Sequence, residues 1–418
     1  MEKLRKFGLN HCDLPTMLGN VTSLLRVLTL NIDNRNKKKI PMIFYIVTCS
    51  VALCYFYVYM VSMLWFVFWK CRETGDVIAA MIVFSLGTSS EIGPCKLYFM
   101  FFYERKVREI VDGYLACDAL TQRDCRFSRN LLNTLRIVKK RALIFWLVII
   151  GNGVIYIVKP IVMPGRHVLE DLFTIYGLEP MFESPNYEIT FLLASLGVCC
   201  TCYLPANITA FLIVLTGYTE ATMLALGEEL IHLWTDAEDF YKNNHINTTA
   251  DHSIASSHVK EKDKNTVINE YIKERLKYII KIHTTNINLI KQTETVFSGA
   301  IALEFVLLIT GLIAELLGGL ENTYIEMPFA LMQVAMDCLL GQRMMDACET
   351  FENSVYDCKW ENFNIANIKT VQLMLQNSQK TLILSAGGMA TLNFKCLMTV
   401  IRSIYSAYTA LGSTMALA

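Results

Sequence analysis

The residues of this chain that could do chemistry are charged side chains placed inside apolar stretches of helix length. An uncompensated charge in hydrocarbon costs at least ~2.5 kcal/mol, so each of them needs a charged partner or a water-filled path. The chemistry that they can support is therefore ion pairing or ion conduction. In chain order they are Glu91, Lys96, Glu304, Glu315, Asp337, Lys395 and Arg402.

The two cations near the carboxyl end lie two helical turns apart and so share one face of the closing helix, opposite the two carboxylates expected in the fifth helix. Pairing between helices would offset the cost of desolvating these charges, and we favour it over direct pore lining. The specific expectation is an ion pair between Lys395 and Glu304. Glu91 and Lys96, which share another helix, either neutralise each other or line a polar cavity.

Catalytic motifs are absent from the sequence. There is no H-E-x-x-H pair, no G-x-S-x-G and no P-loop lysine, and Glu304 and Glu315 are about three turns apart, too far to act as an acid and base pair. Cys199, Cys200 and Cys202 lack the spaced partners of a zinc site. Zero net charge gives no support for nucleic-acid binding. We therefore predict no enzyme, no metal, no cofactor and no nucleic-acid partner.

The elements that must position these charges are membrane helices. Hydrophobic residues make up 53% of the chain and charged residues only 18%, a composition typical of membrane proteins. Residues 41–69 contain no charge and exceed the ~20 residues needed to cross the hydrocarbon. The same criterion predicts an all-α, polytopic protein with seven spans, at 41–69, 76–103, 142–163, 189–217, 295–318, 327–341 and 383–411.

The distribution of Lys and Arg predicts the orientation, because cytoplasmic segments carry an excess of them. The four segments on one side of the predicted spans hold 31, and the four on the other side hold 3. The run Lys37–Lys39 directly precedes the first span, and no signal peptide is apparent before it. We therefore expect a cytoplasmic amino terminus and an extracellular carboxyl terminus.

Two long inner segments are amphipathic in pattern and extend the spans into the cytoplasm, with a polar loop between Asn243 and Lys264. No internal repeat is visible, which lowers the likelihood of a transporter built on inverted halves. The predicted organisation is a cytoplasmic segment 1–40, a ligand-binding bundle of four spans 41–217, a cytoplasmic helical anchor region and loop 218–294, spans five and six 295–341, a cytoplasmic anchor helix 342–382, a pore-lining helix 383–411 and an extracellular tail 412–418.

Several short motifs resemble those of the insect odorant receptor family. The signature of that family's seventh helix is similar to residues 379–411 here, and the two aromatic residues Tyr356 and Trp360 resemble those ahead of its last cytoplasmic helix. In the second outer loop, Gly177-Leu-Glu-Pro180 followed by Ser184-Pro185 looks most like moth members. The closing motif reads Gln379-Lys380, Ser385-Ala386-Gly387-Gly388, Phe394 and Ser403-Ile404-Tyr405-Ser406-Ala407-Tyr408-Thr409-Ala410-Leu411.

This resemblance implies a subunit of an odorant-gated, non-selective cation channel for odour or pheromone detection. Four subunits would each give the final helix to one central pore, with the family's co-receptor as partner in a heterotetramer. The loop between the fourth and fifth helices is shorter than in the co-receptor, which implies an odorant-specific tuning subunit. Its place would be the plasma membrane of an olfactory neuron dendrite, in contact with membrane lipid, and its ligand a small hydrophobic volatile.

The resemblance also implies site residues. The ligand pocket of the family lies in the outer half of the bundle, between helices two, three, four and six, and the gate lies near Ala410 to Ser413. Matching depth points to Phe84, Thr88, Asn152, Ile155, Tyr156, Phe191, Ser195, Phe329 and Met332 for the pocket. The expected pore residues are Tyr405, Tyr408, Thr409, Ala410, Leu411 and Ser413.

Two alternatives share the seven-helix pattern. A gustatory-type ligand-gated channel has the same fold and orientation, and only the motif from Ser406 to Leu411 argues against it. A receptor coupled to a G protein would need the opposite orientation, a cytoplasmic tail and usually an extracellular disulfide. The charge bias here is reversed, and Cys71 is the only cysteine in a predicted outer loop.

Overall fold

Helices make up almost all of the molecule, which confirms the prediction of a mostly helical fold. The computed structural model describes residues 7–36, 39–122, 124–246 and 257–415. In chain order the main helices are α1 Leu14–Leu25, α2 Met42–Thr74, α3 Val77–Phe102 with an interruption at Glu91, α4 Glu104–Ala119, α5 Arg126–Val162, α6 Asn186–Ile231, α7 Leu233–Ile246, α8 Ser257–Gly318, α9 Met327–Tyr356, α10 Ile365–Ser378 and α11 Phe394–Met415. Single turns of helix also occur at Arg26–Leu28, Leu320–Thr323 and Trp360–Asn362.

Polar side chains define where several helices begin. The Asp13 carboxylate accepts a hydrogen bond from the backbone N–H of Thr16 and begins α1. Asp76 caps α3 in the same way, and the Asn364 side chain caps α10. Each cap satisfies a backbone donor that has no partner within its own helix, so these short polar residues are the local signals that start the helices.

Five helices are long and apolar enough to cross a membrane, judged by length and composition within the described residues. They are α2, α3, α5, α6 and the Lys264–Gly318 part of α8. In the most apolar 18-residue stretch of each helix, 78% of α6 is buried within the bundle but only 28% of α5 is. Helix α6 therefore lies in the centre of the bundle, and the outer helices present apolar surface to the surroundings. The chain is a multi-pass membrane protein.

The remaining two predicted spans are more polar. Helix α9 carries Asp337, Arg343 and Asp346, and α11 carries Lys395 and Arg402 among several hydroxyl side chains. Neither is among the five helices above. Helix α9 also continues without interruption past the boundary expected at residue 341, and ends at Tyr356. The anchor segment is therefore partly an extension of the sixth predicted span.

The start of the closing helix differs from the prediction. A helix from residue 383 was expected, but α11 begins at Phe394. Before it, β1 (Ser385–Ala386) pairs antiparallel with β2 (Ala390–Thr391). The connection holds Gly387 and Gly388 at φ of 62° and 72°, a backbone conformation that favours glycine and turns the chain tightly. The two glycines interrupt the apolar run and delay the helix.

Ion pairs join neighbouring helices at one end of the bundle. The Arg126 guanidinium at the start of α5 donates to Glu229 at 2.9 Å and to both carboxylate oxygens of Asp236. Glu229 also accepts from Arg275 of α8. Burial opposes the charge of Arg126, but the hydrogen bonds to Asp236 and Glu229 outweigh it and raise the pKa of the guanidinium. Helices α5, α6, α7 and α8 are therefore tied together at this end.

Three predictions fall partly outside the described residues. In the basic run before the first span, residues 37–38 are not described. The same holds for residues 247–256 of the polar loop and residues 416–418 of the tail. Residues 1–6 of the expected cytoplasmic segment are also outside.

Candidate ligand cavity and pore helix

A small buried cavity lies where five helices meet, and we name it the bundle cavity. Its volume is about 40 Å³. Helices α2, α3, α5 and α6 and the start of α9 each contribute to its wall. The lining residues are Tyr59, Leu86, Ser89, Ser90, Asn152, Tyr156, Val198, Thr201, Cys202, Glu326 and Phe329.

A second cavity of about 30 Å³ lies directly beside it. The two share Tyr59, Leu86, Tyr156 and Val198, so these four side chains form the partition between them. The second cavity continues to Glu170 and Phe173 in the long loop between α5 and α6. A movement of the partition would join the two spaces and extend them toward that loop.

Three of the predicted pocket residues line the bundle cavity: Asn152, Tyr156 and Phe329. The Asn152 amide donates to the carbonyl of Ile325 at 2.5 Å and so ties α5 to the segment before α9. Phe329 is buried. Asn152 and Tyr156 are four residues apart, which places them on the same face of α5.

The other predicted pocket residues lie elsewhere. Ile155 is 59% exposed on the outer surface of α5, because the residue before Tyr156 points away from the bundle. Thr88 faces α8, where a Cβ at Gly311 would come within 2.9 Å of its hydroxyl. The remaining four are half-buried and outside the lining of either cavity: Phe84, Phe191, Ser195 and Met332.

The sequence prediction missed Tyr59 and Glu326. Tyr59 on α2 is held in place by α6, since any side chain at Gly197 would collide with its ring. Glu326 is buried and accepts a hydrogen bond from Ser85 at 3.2 Å. A carboxylate directly before a predicted span is a sequence signal that could have identified Glu326. Tyr59 has no such signal within its uniformly apolar helix.

Several hydroxyls around the cavities have no hydrogen-bond partner among the described residues. They include Tyr156 Oη and Ser89 Oγ, both in the wall of the bundle cavity. A buried hydroxyl without a partner is costly, and the cost is recovered when a ligand or water supplies one. The wall is thus mostly apolar, with a few polar groups available to orient a guest, as expected of a small-molecule site.

The buried charges pair differently from the prediction. The Lys96 ammonium lies 2.7 Å from Glu304 Oε2 and 3.9 Å from Asp337 Oδ2. The expected pairing of Glu304 with Lys395 is therefore wrong, because the Glu304 carboxylate is paired with Lys96 of α3. Neither do Glu91 and Lys96 pair with each other, since Glu91 accepts from Tyr55 Oη at 3.2 Å.

Helix α11 is amphipathic. Val400 and Ile404 are buried against the bundle, whereas Lys395 and Arg402 are exposed. Of the predicted pore residues, Tyr405, Thr409, Ala410, Leu411 and Ser413 are exposed and Tyr408 is half-buried. In a single copy of the chain, the side of α11 that faces away from the bundle carries hydroxyl and charged side chains together with the apolar Met398, Ile401 and Leu411.

This combination of a helical membrane bundle, an interior cavity and an amphipathic closing helix defines a class, the multi-pass membrane proteins. A family model described as 7tm Odorant receptor matches residues 73–405. The chain therefore belongs to the odorant receptor family, which confirms the resemblance seen in its motifs and favours olfaction over the gustatory alternative. Among proteins of curated function, none matches this sequence.

Solved structures have the same fold. The insect olfactory receptor OR5 from Machilis hrabei superposes with a TM-score of 0.73 at 13% identity, over 95% of this chain and 98% of that one. The structure of the same receptor in complex with eugenol superposes with a TM-score of 0.69 at 13% identity, over 96% of this chain and 98% of that one. The similarity extends over nearly the whole of both chains.

Proposed function

We propose that this chain is the ligand-tuned subunit of an odorant-gated, non-selective cation channel that assembles with the family's co-receptor in the plasma membrane. The chain crosses the bilayer seven times, with α9 and α11 as the sixth and seventh spans and the amino terminus in the cytoplasm. The family match and the fold support an odorant receptor, and the channel is the extension that we propose.

The observation that carries this proposal is the polar face of α11. Exposed polar side chains recur every three or four residues along the helix and so form one stripe. In hydrocarbon such a stripe would be costly, whereas in the wall of a shared aqueous pore it is solvated. Rings of neutral hydroxyls pass hydrated cations with little selectivity. The stripe begins with Thr399 and Arg402. Its neutral part, the proposed pore wall, consists of Tyr405, Ser406, Thr409 and Ser413.

The proposed ligand site is the bundle cavity. Binding sites for small molecules usually measure ~300–1,000 Å³, so a cavity of about 40 Å³ must widen to admit an odorant. The partition side chains Tyr59, Leu86 and Tyr156 would have to move, which would join it to the neighbouring cavity. Each buried methylene of the ligand contributes about 0.8 kcal/mol, so an apolar volatile needs no charged contact. The structurally similar receptor OR5 from Machilis hrabei has been solved in complex with eugenol.

Helix α9 connects this cavity to the pore helix. Phe329 in the cavity wall, Asp337 in the buried ion cluster and Gly341 lie on one face, since they are separated by multiples of four residues. Gly341 packs directly against the backbone of Leu392, two residues before α11. A side chain at Gly341 would collide with Leu392. A shift of α9 on ligand binding would therefore be passed to the start of α11.

Cysteine accessibility tests the pore assignment. In cells that express this chain with the co-receptor, we would measure odorant-evoked current before and after an impermeant thiol reagent is applied from outside. Thr409→Cys on the exposed face should lose current. Ile404→Cys on the buried face is the matched control and should behave as the wild-type chain, whose own cysteines set the background.

Modification of Ile404→Cys but not of Thr409→Cys would contradict the pore face. Absence of any odorant-evoked current without added nucleotide, when both subunits reach the surface, would contradict the channel itself. An antibody against a tag at Met1 that binds unpermeabilised cells would refute the proposed orientation.

A further inference from the structure

Three charged side chains form a buried cluster at the centre of the bundle, where four helices meet. Lys96 of α3, Glu304 of α8 and Asp337 of α9 have side-chain exposures of 3%, 0% and 0%. The Lys96 ammonium lies 2.7 Å from Glu304 and 3.9 Å from Asp337, and donates a hydrogen bond to Thr209 Oγ1 of α6 at 2.9 Å. We name these three charged residues the core cluster.

The charges of the core cluster do not balance. One ammonium faces two carboxylates, so the fully ionised cluster has a net charge of minus one in a region closed to solvent. A single uncompensated charge at such depth is strongly disfavoured, and groups in this situation neutralise by taking up a proton. Two cysteine thiols also lie close to the core cluster, Cys95 next to Lys96 on α3 and Cys338 next to Asp337 on α9.

Carboxylate oxygens without hydrogen-bond partners indicate where that proton would be held. Apart from Glu304 Oε2, which lies 2.7 Å from the Lys96 ammonium, the carboxylate oxygens of Glu304 and Asp337 have no hydrogen-bond partner among the described residues. Both carboxyl groups nevertheless surround the same ammonium, at 2.7 Å and 3.9 Å from its nitrogen. Two ionised carboxylates are both acceptors, so no bond can form between them. One added proton makes either group a donor to the other.

We infer that Glu304 and Asp337 form a proton-binding site, which holds one proton between them while Lys96 remains charged. The shared proton links α8 to α9. It lies two helical turns from Phe329 of the bundle cavity along the same face of α9, and thus between the ligand and Gly341. Loss of the proton at alkaline pH would leave two facing carboxylates that repel each other, and would loosen the contact between the two helices.

The sign of the pH effect follows from linkage. A proton that the buried pair binds in the folded protein stabilises the fold at low pH, and that stabilisation is lost at alkaline pH, where the proton leaves. Glu304→Gln and Asp337→Asn each remove one negative charge and leave Lys96 with one carboxylate. Both variants should fold without the proton and lose this part of the pH dependence.

The experiment measures thermal unfolding of the purified protein as a function of pH. The wild-type protein should unfold at progressively lower temperature as the pH rises, and Glu304→Gln should flatten this dependence. Asp337→Asn serves as a second variant in case the first is poorly folded. Glu321→Gln, which removes an exposed carboxylate from the loop before α9, is the matched control and should follow the wild type.

Infrared difference spectroscopy gives an independent readout on the same samples. The carbonyl band of a protonated carboxyl group should disappear from the wild-type protein on alkaline titration, and that component should be missing from the spectra of Glu304→Gln or Asp337→Asn. An unchanged band in both variants, or a pH dependence of unfolding equal to that of the wild type, would overturn the inference. Neither measurement needs odorant-evoked current, so failure of the channel proposal would be seen separately.

Discussion

Substitution of Tyr156 by Phe tests the ligand site most directly. Tyr156 lies in the wall of both small cavities, and its hydroxyl is buried without a partner among the described residues. The substitution keeps the ring and removes only this hydroxyl. An oxygen-containing odorant that accepts a hydrogen bond from Tyr156 would lose that bond, whereas a hydrocarbon of the same shape would lose nothing.

The expected loss of affinity follows from the net free energy of one hydrogen bond. A net contribution of about 0.5–1.5 kcal/mol corresponds to a loss of affinity of about 2-fold to about 10-fold. The half-activating concentration of an alcohol or ester should rise by this factor in Tyr156→Phe. That of the matched hydrocarbon should stay the same or fall slightly, because an unpaired buried hydroxyl has been removed.

The assay is a concentration–response series on cells that express the variant with the co-receptor. Tyr203→Phe is the matched control, since the Tyr203 hydroxyl donates to the carbonyl of Leu24 at 2.9 Å and lies outside the bundle cavity. It should leave both ligands unaffected. Equal shifts for the two ligands in Tyr156→Phe, or no shift for either, would refute the assignment of Tyr156 to the site.

Two further predictions concern the contact between α9 and Leu392 and the buried His283 of α8. Gly341→Ala places a Cβ within 2.6 Å of the Leu392 Cβ, so the maximal odorant-evoked current should change while the half-activating concentration is little altered. Gly151→Ala is the control, because nothing lies within 4 Å of a Cβ at that position. Equal behaviour of the two variants would argue against coupling through α9. Burial lowers the pKa of His283, packed on Phe351, to about 4. Since the unfolded side chain titrates near ~6.5, stability should fall by up to about 3 kcal/mol as the pH drops from ~6.5 toward ~4, and His283→Phe should remove this loss in pH-dependent unfolding of the purified protein.

Much of the fold could be predicted from the sequence, because the bilayer imposes a simple requirement on it. A segment that crosses hydrocarbon must be long, apolar and helical, and these are properties of the segment alone. The helices α2, α3, α5, α6 and α8 therefore overlap the predicted spans. The late start of α11 had a visible signal, since Gly387 and Gly388 together are a turn sequence, but the apolar composition around them outweighed it.

The candidate site was predicted less well, because its lining depends on how each helix is rotated about its axis. Asn152 and Tyr156 face the cavity, whereas Ile155 faces outward, although the three share one apolar helix. The hydropathy of this helix assigns it to the membrane but does not show which of its faces packs against the other helices. Tyr59 reached the cavity wall only because α6 leaves room for it at Gly197.

By itself, the sequence of this protein determined its helical membrane character and its family, since both reside in local composition and short motifs. Only the tertiary structure decided the partners of the buried charges. The same carboxylate of Glu304 could have been neutralised from α11 or from α3, and packing brought Lys96 within 2.7 Å while Lys395 remained at the surface. The choice depends on distances between helices that are far apart in the chain, and ion-pair energy falls off with those distances rather than with separation in sequence.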